Sequence, residues 1–283
     1  MRISMATSVG CAGQSNEDFV GAAPGAAVLL DGAGIPGSKS ICSHGVAWYT
    51  HRLGGALLGR LSRDDGRGLA EILAATIVEI AAHHRGTCDI TNPSSPQATV
   101  VIVRAHRGRL DYLLLADSFL VLDQVSGGLQ VITDEREVTT RRVCSVPLDG
   151  VPRGTPEYER IRDSCVEALR ARRNQPGGYW IAKDDPHAAE EAVTGSRPLH
   201  DLNGVVLLSN GASRIVSPYG LTDWPGLLEL LNANGPADII RRVRQAEALA
   251  AEGPDAPIPD DATVAHCTDL PRSEIAVGRC SEN

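Results

Sequence analysis

Short apolar runs alternate with turn residues along much of the chain. Each run is of the length of a buried strand and is rich in leucine or in β-branched residues, which predicts strands. Between residues 98 and 133 the runs are separated only by tight turns such as Ser126-Gly127-Gly128, a spacing that is typical of an antiparallel meander. The predicted strands are residues 2–8, 18–22, 26–30, 98–105, 110–115, 119–123, 129–133, 179–182, 205–208 and 263–269.

Other segments carry apolar residues every three or four positions, the spacing that places them on one face of a helix. Proline near the start and glycine after the end mark some of these segments as helices. The predicted helices are residues 44–61, 69–84, 156–173, 224–231 and 236–251. Polar stretches rich in turn residues, namely 134–154, 183–203 and 252–259, are predicted loops, and 271–283 is a predicted mobile tail.

This order of elements predicts an α+β fold, in which two mostly antiparallel β-sheets pack as a sandwich flanked by helices. No repeat or linker divides the chain, so residues 1–270 are expected to form a single domain. No apolar run is long enough to span a membrane, and the N-terminus lacks the apolar core of a signal peptide. We therefore expect a cytoplasmic protein without membrane contact.

The charge and the cysteines exclude further classes. A formal net charge of −8 argues against a nucleic-acid partner, because proteins that bind nucleic acids usually present a basic face. The seven cysteines are odd in number, and no Cys-x-x-Cys pair occurs among them. This spacing argues against a disulfide framework and against a zinc site.

Five short polar motifs occur in a fixed order, and four of them lie at the edge of a predicted strand. Strand ends that collect carboxylates from distant parts of a chain can form a site for divalent cations. A single motif of this kind is usually a turn. The prediction of a cation site therefore depends on the number and order of the five motifs. The motifs are Asn16-Glu17-Asp18, Asp31-Gly32-Ala33-Gly34, Ala116-Asp117-Ser118, Ser209-Asn210-Gly211 and Asp260-Asp261-Ala262-Thr263.

This ordered set resembles the metal-dependent protein phosphatases of the type 2C class (PPM), which dephosphorylate serine and threonine. The resemblance extends from about residue 8 to residue 269. Two further stretches resemble actinobacterial members: Gly45-Val46-Ala47-Trp48-Tyr49, and Gly235-Pro236 followed by Arg242-Val243-Arg244 and Glu247. The resemblance implies a β-sandwich flanked by helices, with two Mn²⁺ or Mg²⁺ ions at one end between the sheets.

The resemblance also implies roles for the residues of the first two motifs. Asp31 would bridge both metals, and Gly32 would offer its carbonyl oxygen. Glu17 would hold a water on the metals, with Asp18 beside it. Two such ions about 3.5–4 Å apart activate a water and clamp the attacking and leaving oxygens, so no covalent intermediate is needed. In agreement, the chain has no nucleophile elbow and no Cys-x5-Arg loop.

The other motifs match the family less completely. Asp117 would help to shape a further metal site, although Ala116 replaces the family's glycine. Asp260 would ligate one of the paired metals, and Asp261 stands beside it. Asn210 takes the position of an aspartate that ligates the same metal as Asp260. An amide oxygen can coordinate a cation but brings no negative charge, so metal affinity should fall.

Three accounts of Asn210 stay open: an engineered substitution, a natural and tolerated one in a slower enzyme, or the mark of a pseudophosphatase. Gly13 stands where many members have an arginine that grips the phosphate. Arg214 could replace this grip, since arginine suits bidentate phosphate contacts, or it could be a surface arginine. His44 could act as a general acid near Asp31, or it could be a solvated histidine at the start of a helix. The pair His83-His84 is expected to lie at a solvated helix end.

The sequence therefore predicts a metal-dependent phosphatase acting on phosphoserine, phosphothreonine or a small phosphoester. Two alternatives stay open: a catalytically impaired binding module of the same fold, and a metal-dependent hydrolase of a non-phosphate substrate. The expected partner is a phosphorylated protein or a small phosphoester. Nothing in the loops 134–154 and 183–203 identifies the substrate.

Overall fold

A computed structural model describes residues 1–34, 41–63, 65–84, 86–250 and 258–271, and these residues form ten strands and seven α-helices. The strands are β1 (Arg2–Ser8), β2 (Phe19–Ala23), β3 (Ala26–Ala33), β4 (Gln97–His106), β5 (Arg109–Leu115), β6 (Phe119–Gln124), β7 (Leu129–Ile132), β8 (Val193–Pro198), β9 (Leu202–Leu208) and β10 (Ala262–Thr268). The helices are α1 (Val46–Leu61), α2 (Leu69–His83), α3 (Arg136–Ser145), α4 (Pro156–Arg170), α5 (Asn210–Ser213), α6 (Trp224–Asn234) and α7 (Pro236–Ala250). The predicted tail lies outside the described residues except for Pro271.

The strands form two five-stranded sheets in which every pair is antiparallel. The first sheet has the order β1-β10-β9-β6-β7, and the second has the order β2-β3-β4-β5-β8. The predicted α+β sandwich is confirmed. Among the described residues, no helix is both long and apolar enough to cross a bilayer.

Residues 26–30 of strand β3 show why this part of the strand is apolar at every position. Ala27 and Leu29 pack in the cluster between the two sheets, whereas Val28 and Leu30 pack with α1 and α2 on the other face. A strand that is buried on both faces has no position left for a polar residue. Each fully buried leucine or valine stabilises the fold by about 1.5–3 kcal/mol. Helices α6 and α7 cover the outer face of the first sheet in the same way.

The predicted meander between residues 98 and 133 is divided between the sheets. Strands β4 and β5 pair in the second sheet, and β6 and β7 pair in the first. The chain crosses from one sheet to the other at residues 116–118, where Ala116 has a φ of 66°. This left-handed conformation turns the chain away from β5 and places Asp117 between the two sheets.

Several predicted boundaries were wrong. Residues 134–154, predicted as a loop, contain helix α3. Its sequence is polar and only two of its residues are buried, so it lacks the apolar face that predicts a helix. Strand β8, predicted as loop, pairs with β5 at an edge of the second sheet. Its residues are only partly buried, so its sequence lacks the apolar pattern that predicts a strand. Residues 179–182 are buried but form only isolated bridges. Strand β3 continues past Asp31 to Ala33, because Gly32 and Ala33 still pair with β4.

Candidate functional site

The five polar motifs meet at one end of the sandwich, and Asn210 connects three of them. The backbone nitrogen of Asn210 donates to Oδ2 of Asp31 over 2.9 Å. Its side-chain Nδ2 donates to Oδ2 of Asp117 over 3.0 Å. Residues from the end of β3, the crossover between the sheets and the start of α5 are therefore in direct contact.

The pairing of β9 with β10 adds the remaining motifs. Ser209 follows β9, and its Oγ accepts a hydrogen bond of 2.9 Å from the backbone nitrogen of Thr263 on β10. The hydroxyl of Thr263 donates to Oδ2 of Asp18 over 2.6 Å. Because β9 ends where β10 begins, the motif at residues 209–211 lies beside Asp260 and Asp261, which directly precede β10.

The register of β3 on β4 fixes the position of Asp31. Asp31 pairs with Thr99, and the backbone nitrogen of Asp31 donates to Oγ1 of Thr99 over 3.2 Å. The hydroxyl of Thr99 also lies 2.6 Å from that of Ser118 at the crossover. These buried hydroxyls tie the strand end to the crossover and leave the carboxyl group of Asp31 facing Asn210.

Asp18 is 3 % exposed and keeps an unsatisfied acceptor. Its Oδ1 is buried and makes no hydrogen bond to the described residues. Burial raises the pKa of Asp18 to about 7, a shift that the hydroxyl of Thr263 opposes and the charge of Asp261 increases. A buried carboxylate oxygen without a partner is costly, and a bound cation would remove that cost.

The neighbouring carboxyl groups are shifted in the same direction. Burial raises the pKa of Asp31 well above its ordinary value, and the charges of Asp18, Asp260 and Asp117 add to the shift. Burial also raises the pKa of Asp117 and of Glu17. Several acids that raise one another's pKa in a shared buried space are typical of a cation site.

Asp261 holds the first motif in place. Its Oδ1 accepts from the backbone nitrogen of Gly10 over 2.8 Å, and its Oδ2 accepts from the backbone nitrogen of Glu17. Two glycines permit the close approach that this needs. A Cβ at Gly32 would lie 2.3 Å from the carbonyl oxygen of Glu17, and one at Gly211 would lie 2.0 Å from that of Asp261.

Arg214 contacts the predicted metal ligand Asp260. Its Nη2 donates to Oδ2 of Asp260 over 2.8 Å, and its Nη1 lies 3.5 Å from the buried Glu247. Nη1 also donates to the carbonyl oxygen of Ile258 over 2.9 Å. Burial raises the pKa of Asp260, and the guanidinium opposes that shift. The guanidinium of Arg214 is thus paired with two carboxylates and is not a solvated surface group.

Two charged residues of α3 lie near Asp117 and were missed in the sequence. Arg141 donates to Glu137 one turn earlier, and its charge opposes the rise in the pKa of Asp117 that burial causes. Burial and the charge of Asp117 raise the pKa of Glu137 to about 7. Their spacing of four residues is that of an ion pair on one face of a helix. It could not be recognised in a segment that was predicted to be a loop.

His44, a candidate general acid near Asp31, is engaged by other side chains. His44 stacks on Trp48, with ring centroids 4.3 Å apart, and its described contacts are to cysteines and aromatic rings. These contacts do not include Asp31. His84, expected at a solvated helix end, is only 2 % exposed. His84 likewise contacts Cys42 and Trp48.

The donor set fits hard divalent cations. The described side chains that converge here offer carboxylate, amide and hydroxyl oxygens, which are the ligands that Mg²⁺ and Mn²⁺ prefer. The orphaned Oδ1 of Asp18 and the raised pKa values of its neighbours show a surplus of negative charge. The arrangement can therefore hold cations, while Asn210 and Arg214 reduce its charge.

No family model matches this chain, and no curated protein matches it by sequence. Solved structures do match in fold. The catalytic domain of the serine/threonine protein phosphatase PstP, in complex with two manganese ions, is 23% identical, with a TM-score of 0.57 over 94% of this chain and 97% of that chain. The serine/threonine phosphatase PstP/Ppp of Mycobacterium tuberculosis is 22% identical, with a TM-score of 0.58 over 94% and 98%.

A third structure extends this comparison. The PPM Ser-Thr phosphatase MsPP of Mycobacterium smegmatis, in complex with cacodylate, is 17% identical, with a TM-score of 0.53 over 95% of this chain and 98% of that chain. At these identities the likeness establishes the fold. The chain has the two-sheet sandwich of bacterial serine/threonine phosphatases over nearly its whole length.

Proposed function

We propose that this chain is a metal-dependent phosphatase that hydrolyses phosphoserine, phosphothreonine or a small phosphoester. The observation that carries the proposal is the convergence of Asp18, Asp117 and Asp260 on Asp31, with Asn210 bonded to Asp31 and Asp117, in a fold shared with phosphatases of this kind. A fold alone hosts many functions, so the argument depends on the site.

Within this proposal, Asp31, Gly32, Asn210 and Asp260 would hold two divalent ions, Mn²⁺ or Mg²⁺, and Asp117 would shape a further metal site. When bound, such ions lower the pKa of a water and offset the charge that develops on the phosphoryl oxygens. The raised pKa values of Asp31 and Asp117 support this assignment, because a cation relieves the repulsion between buried carboxylates.

The catalytic work of the chain's own residues falls to Glu17, Asp18 and Asp31. The hydroxyl of Thr263 holds Asp18 in one orientation, and Asp261 fixes the backbone of Glu17. Both acids can then accept a hydrogen bond from the attacking water and orient it. Arg214 limits the negative charge at Asp260, so we assign it to tuning the metal site.

The substrate proposal is coarser than the site proposal. PstP and MsPP are described as serine/threonine phosphatases, which supports a phosphorylated protein as the partner of this chain. The cytoplasmic location and the bacterial origin stay predictions from the sequence.

The test is manganese-dependent hydrolysis of para-nitrophenyl phosphate by this chain and by its Asn210→Asp variant in parallel. Asp31→Asn serves as the matched loss-of-function control, because it keeps the shape of the side chain and removes the charge. We expect turnover by the chain and by Asn210→Asp, and none by Asp31→Asn.

The other outcomes separate the alternatives. Turnover by Asn210→Asp alone would identify this chain as an inactivated phosphatase. The proposal would be overturned if neither form hydrolysed para-nitrophenyl phosphate although both still bound manganese, as measured by isothermal titration calorimetry. The remaining readings would then be a binding module or a hydrolase of other substrates.

A further inference from the structure

Four cysteine and histidine side chains, of the type that binds zinc, meet where the start of α1 lies beside the end of α2. Cys42 and His44 precede α1, and His84 and Cys88 follow the last residue of α2. One ligand atom from each residue lies within 4.8 Å of all the others. The cluster involves none of the five polar motifs.

Three sulfur–nitrogen separations within this cluster are close to those of a tetrahedral metal centre. The Sγ of Cys42 lies 3.6 Å from Nδ1 of His84 and 4.0 Å from Nδ1 of His44. The Sγ of Cys88 lies 3.3 Å from Nδ1 of His44. Zinc–sulfur bonds of about 2.3 Å and zinc–nitrogen bonds of about 2.0–2.1 Å give sulfur–nitrogen edges of about 3.5–3.6 Å. The observed values bracket this length.

The ligands are also held in place by their surroundings. Cys42 and His84 are each 2 % exposed. The rings of His44 and His84 contact Trp48, with centroid distances of 4.3 and 4.9 Å. A backbone hydrogen bond of 2.9 Å from Asp89 to Ile41 joins the two ligand-bearing segments. A site built before the metal arrives loses little entropy on binding.

We propose that Cys42, His44, His84 and Cys88 bind one Zn²⁺ ion as a structural site, separate from the carboxylate cluster. Two thiolates and two imidazoles form a donor set typical of structural zinc, and four protein ligands leave no position open for a substrate. Binding replaces the thiol protons of both cysteines. The oxygen ligands of the carboxylate cluster favour harder ions, so the two sites select different metals.

The sequence pattern had argued against zinc because it contains no Cys-x-x-Cys pair. The ligands instead form a Cys-x-His pair and a His-x3-Cys pair, one on each side of the two helices. Each pair is too short to be recognised alone. Only the antiparallel return of α2 along α1 brings them together.

Zinc at this position would clamp the start of α1 to the end of α2. The first residue of α1 is Val46, whose side chain fills the space beside two glycines. A Cβ at Gly34 would lie 2.3 Å from Cγ2 of Val46, and one at Gly32 would lie 2.7 Å from Cγ1. The clamp therefore also fixes the helix end against which the strand carrying Asp31 packs.

The test starts from the untagged chain, purified without added metal. Its zinc content is measured by inductively coupled plasma mass spectrometry. We expect about one zinc per chain. After replacement of zinc by cobalt, we expect the thiolate-to-cobalt charge-transfer band of a site with cysteine ligands. Cys42→Ser/Cys88→Ser should lose the zinc and the band. The matched control Cys144→Ser/Cys165→Ser, which removes two other buried cysteines, should keep both.

Three results would overturn the proposal. The first is a chain that takes up neither zinc nor cobalt although both thiols react freely with Ellman's reagent. The second is zinc without the charge-transfer band in the cobalt form, which would place the metal at the carboxylates. The third is a disulfide between Cys42 and Cys88 in non-reducing mass spectrometry. The cobalt spectrum of the unaltered chain decides the matter even if the double variant fails to fold.

Discussion

The guanidinium of Arg214 lies 2.8 Å from the carboxylate of Asp260, a residue that we assign to metal binding. A positive charge thus already stands beside one of the ligands before any cation arrives. The same guanidinium lies 3.5 Å from Glu247, which is 3 % exposed. Arg214 therefore links the proposed metal site to the buried Glu247 in the last turn of helix α7.

Replacing Arg214 by glutamine should strengthen manganese binding. The change frees Asp260 from its competing ion pair, so the dissociation constant for Mn²⁺ should fall by about three- to tenfold. It also removes one of the two arginine partners of Glu247, so the free energy of unfolding should fall by about 1–3 kcal/mol. Isothermal titration calorimetry and urea denaturation measure the two effects.

Arg244→Gln is the matched control, because Arg244 is the other arginine partner of Glu247 and makes no described contact with Asp260. It should lower stability to a similar degree and leave manganese binding unchanged. If Arg214 instead gripped the phosphate, Arg214→Gln would raise the KM for para-nitrophenyl phosphate without tightening manganese binding.

Asn210→Asp should raise manganese affinity by about tenfold, because a carboxylate adds ligand charge at the metal. It should also lower the melting temperature of the metal-free protein, since the new carboxylate would face Asp117 in place of the hydrogen bond from the amide. Asn232→Asp on the exposed side of α6 adds the same charge away from the site and should change neither quantity. Equal manganese titrations for Asn210→Asp and the unaltered chain would contradict this prediction.

The metal-free protein should lose stability as the pH rises from about 4 to about 7. Asp18 has a folded pKa of about 7, above that of the unfolded chain, so the folded state binds more protons within this window. Its contribution is complete below the unfolded pKa and disappears as the pH passes the folded pKa. Urea denaturation in EDTA at several pH values measures the slope.

Asp18→Asn should flatten this dependence, because the amide keeps the hydrogen bond from Thr263 and cannot ionise. The control Asp163→Asn changes an exposed carboxylate on α4 and should leave the slope as it was. A metal-free protein that becomes more stable with rising pH through this window would show that Asp18 is not held in an unfavourable charged state.

Gly32→Ala should lower kcat by about 100-fold, because a Cβ there would push the backbone of Glu17 away from Asp31. The control Gly55→Ala lies in α1, where an added methyl group meets open space. It should leave kcat unchanged and stabilise the protein by about 0.5–1 kcal/mol. Equal kcat values for the two variants would show that the spacing of the first two motifs does not govern catalysis.

The buried apolar strands and the order of the motifs were readable from the sequence, because both depend on local patterns. Strand β3 and the ending of β9 are examples. Helix α3 was not readable, since it buries only Thr140 and Cys144 and therefore lacks an apolar face. The resemblance carried by the motifs predicted which acids would assemble, but not that Arg214 would bind one of them. That contact depends on how α5 packs against the loop before β10.

The cysteine and histidine cluster was missed for a related reason. Its four ligands are separated by the length of two helices, and spacing rules recognise only ligands that are close in the chain. His84 was predicted as solvated because it ends an amphipathic helix next to another histidine. In the structure, Trp48 and Tyr49 cover it.

The pairing of β1 with β10, in register from Arg2 and Thr268 to Ser8 and Ala262, has a consequence for synthesis on the ribosome. Among the described strands, β1 is synthesised long before β10, which is its single neighbour in the sheet. Asp260, which directly precedes β10, emerges at the same late stage. A nascent chain therefore cannot assemble the complete metal site early, and its folding depends on contacts of high sequence separation, which form slowly.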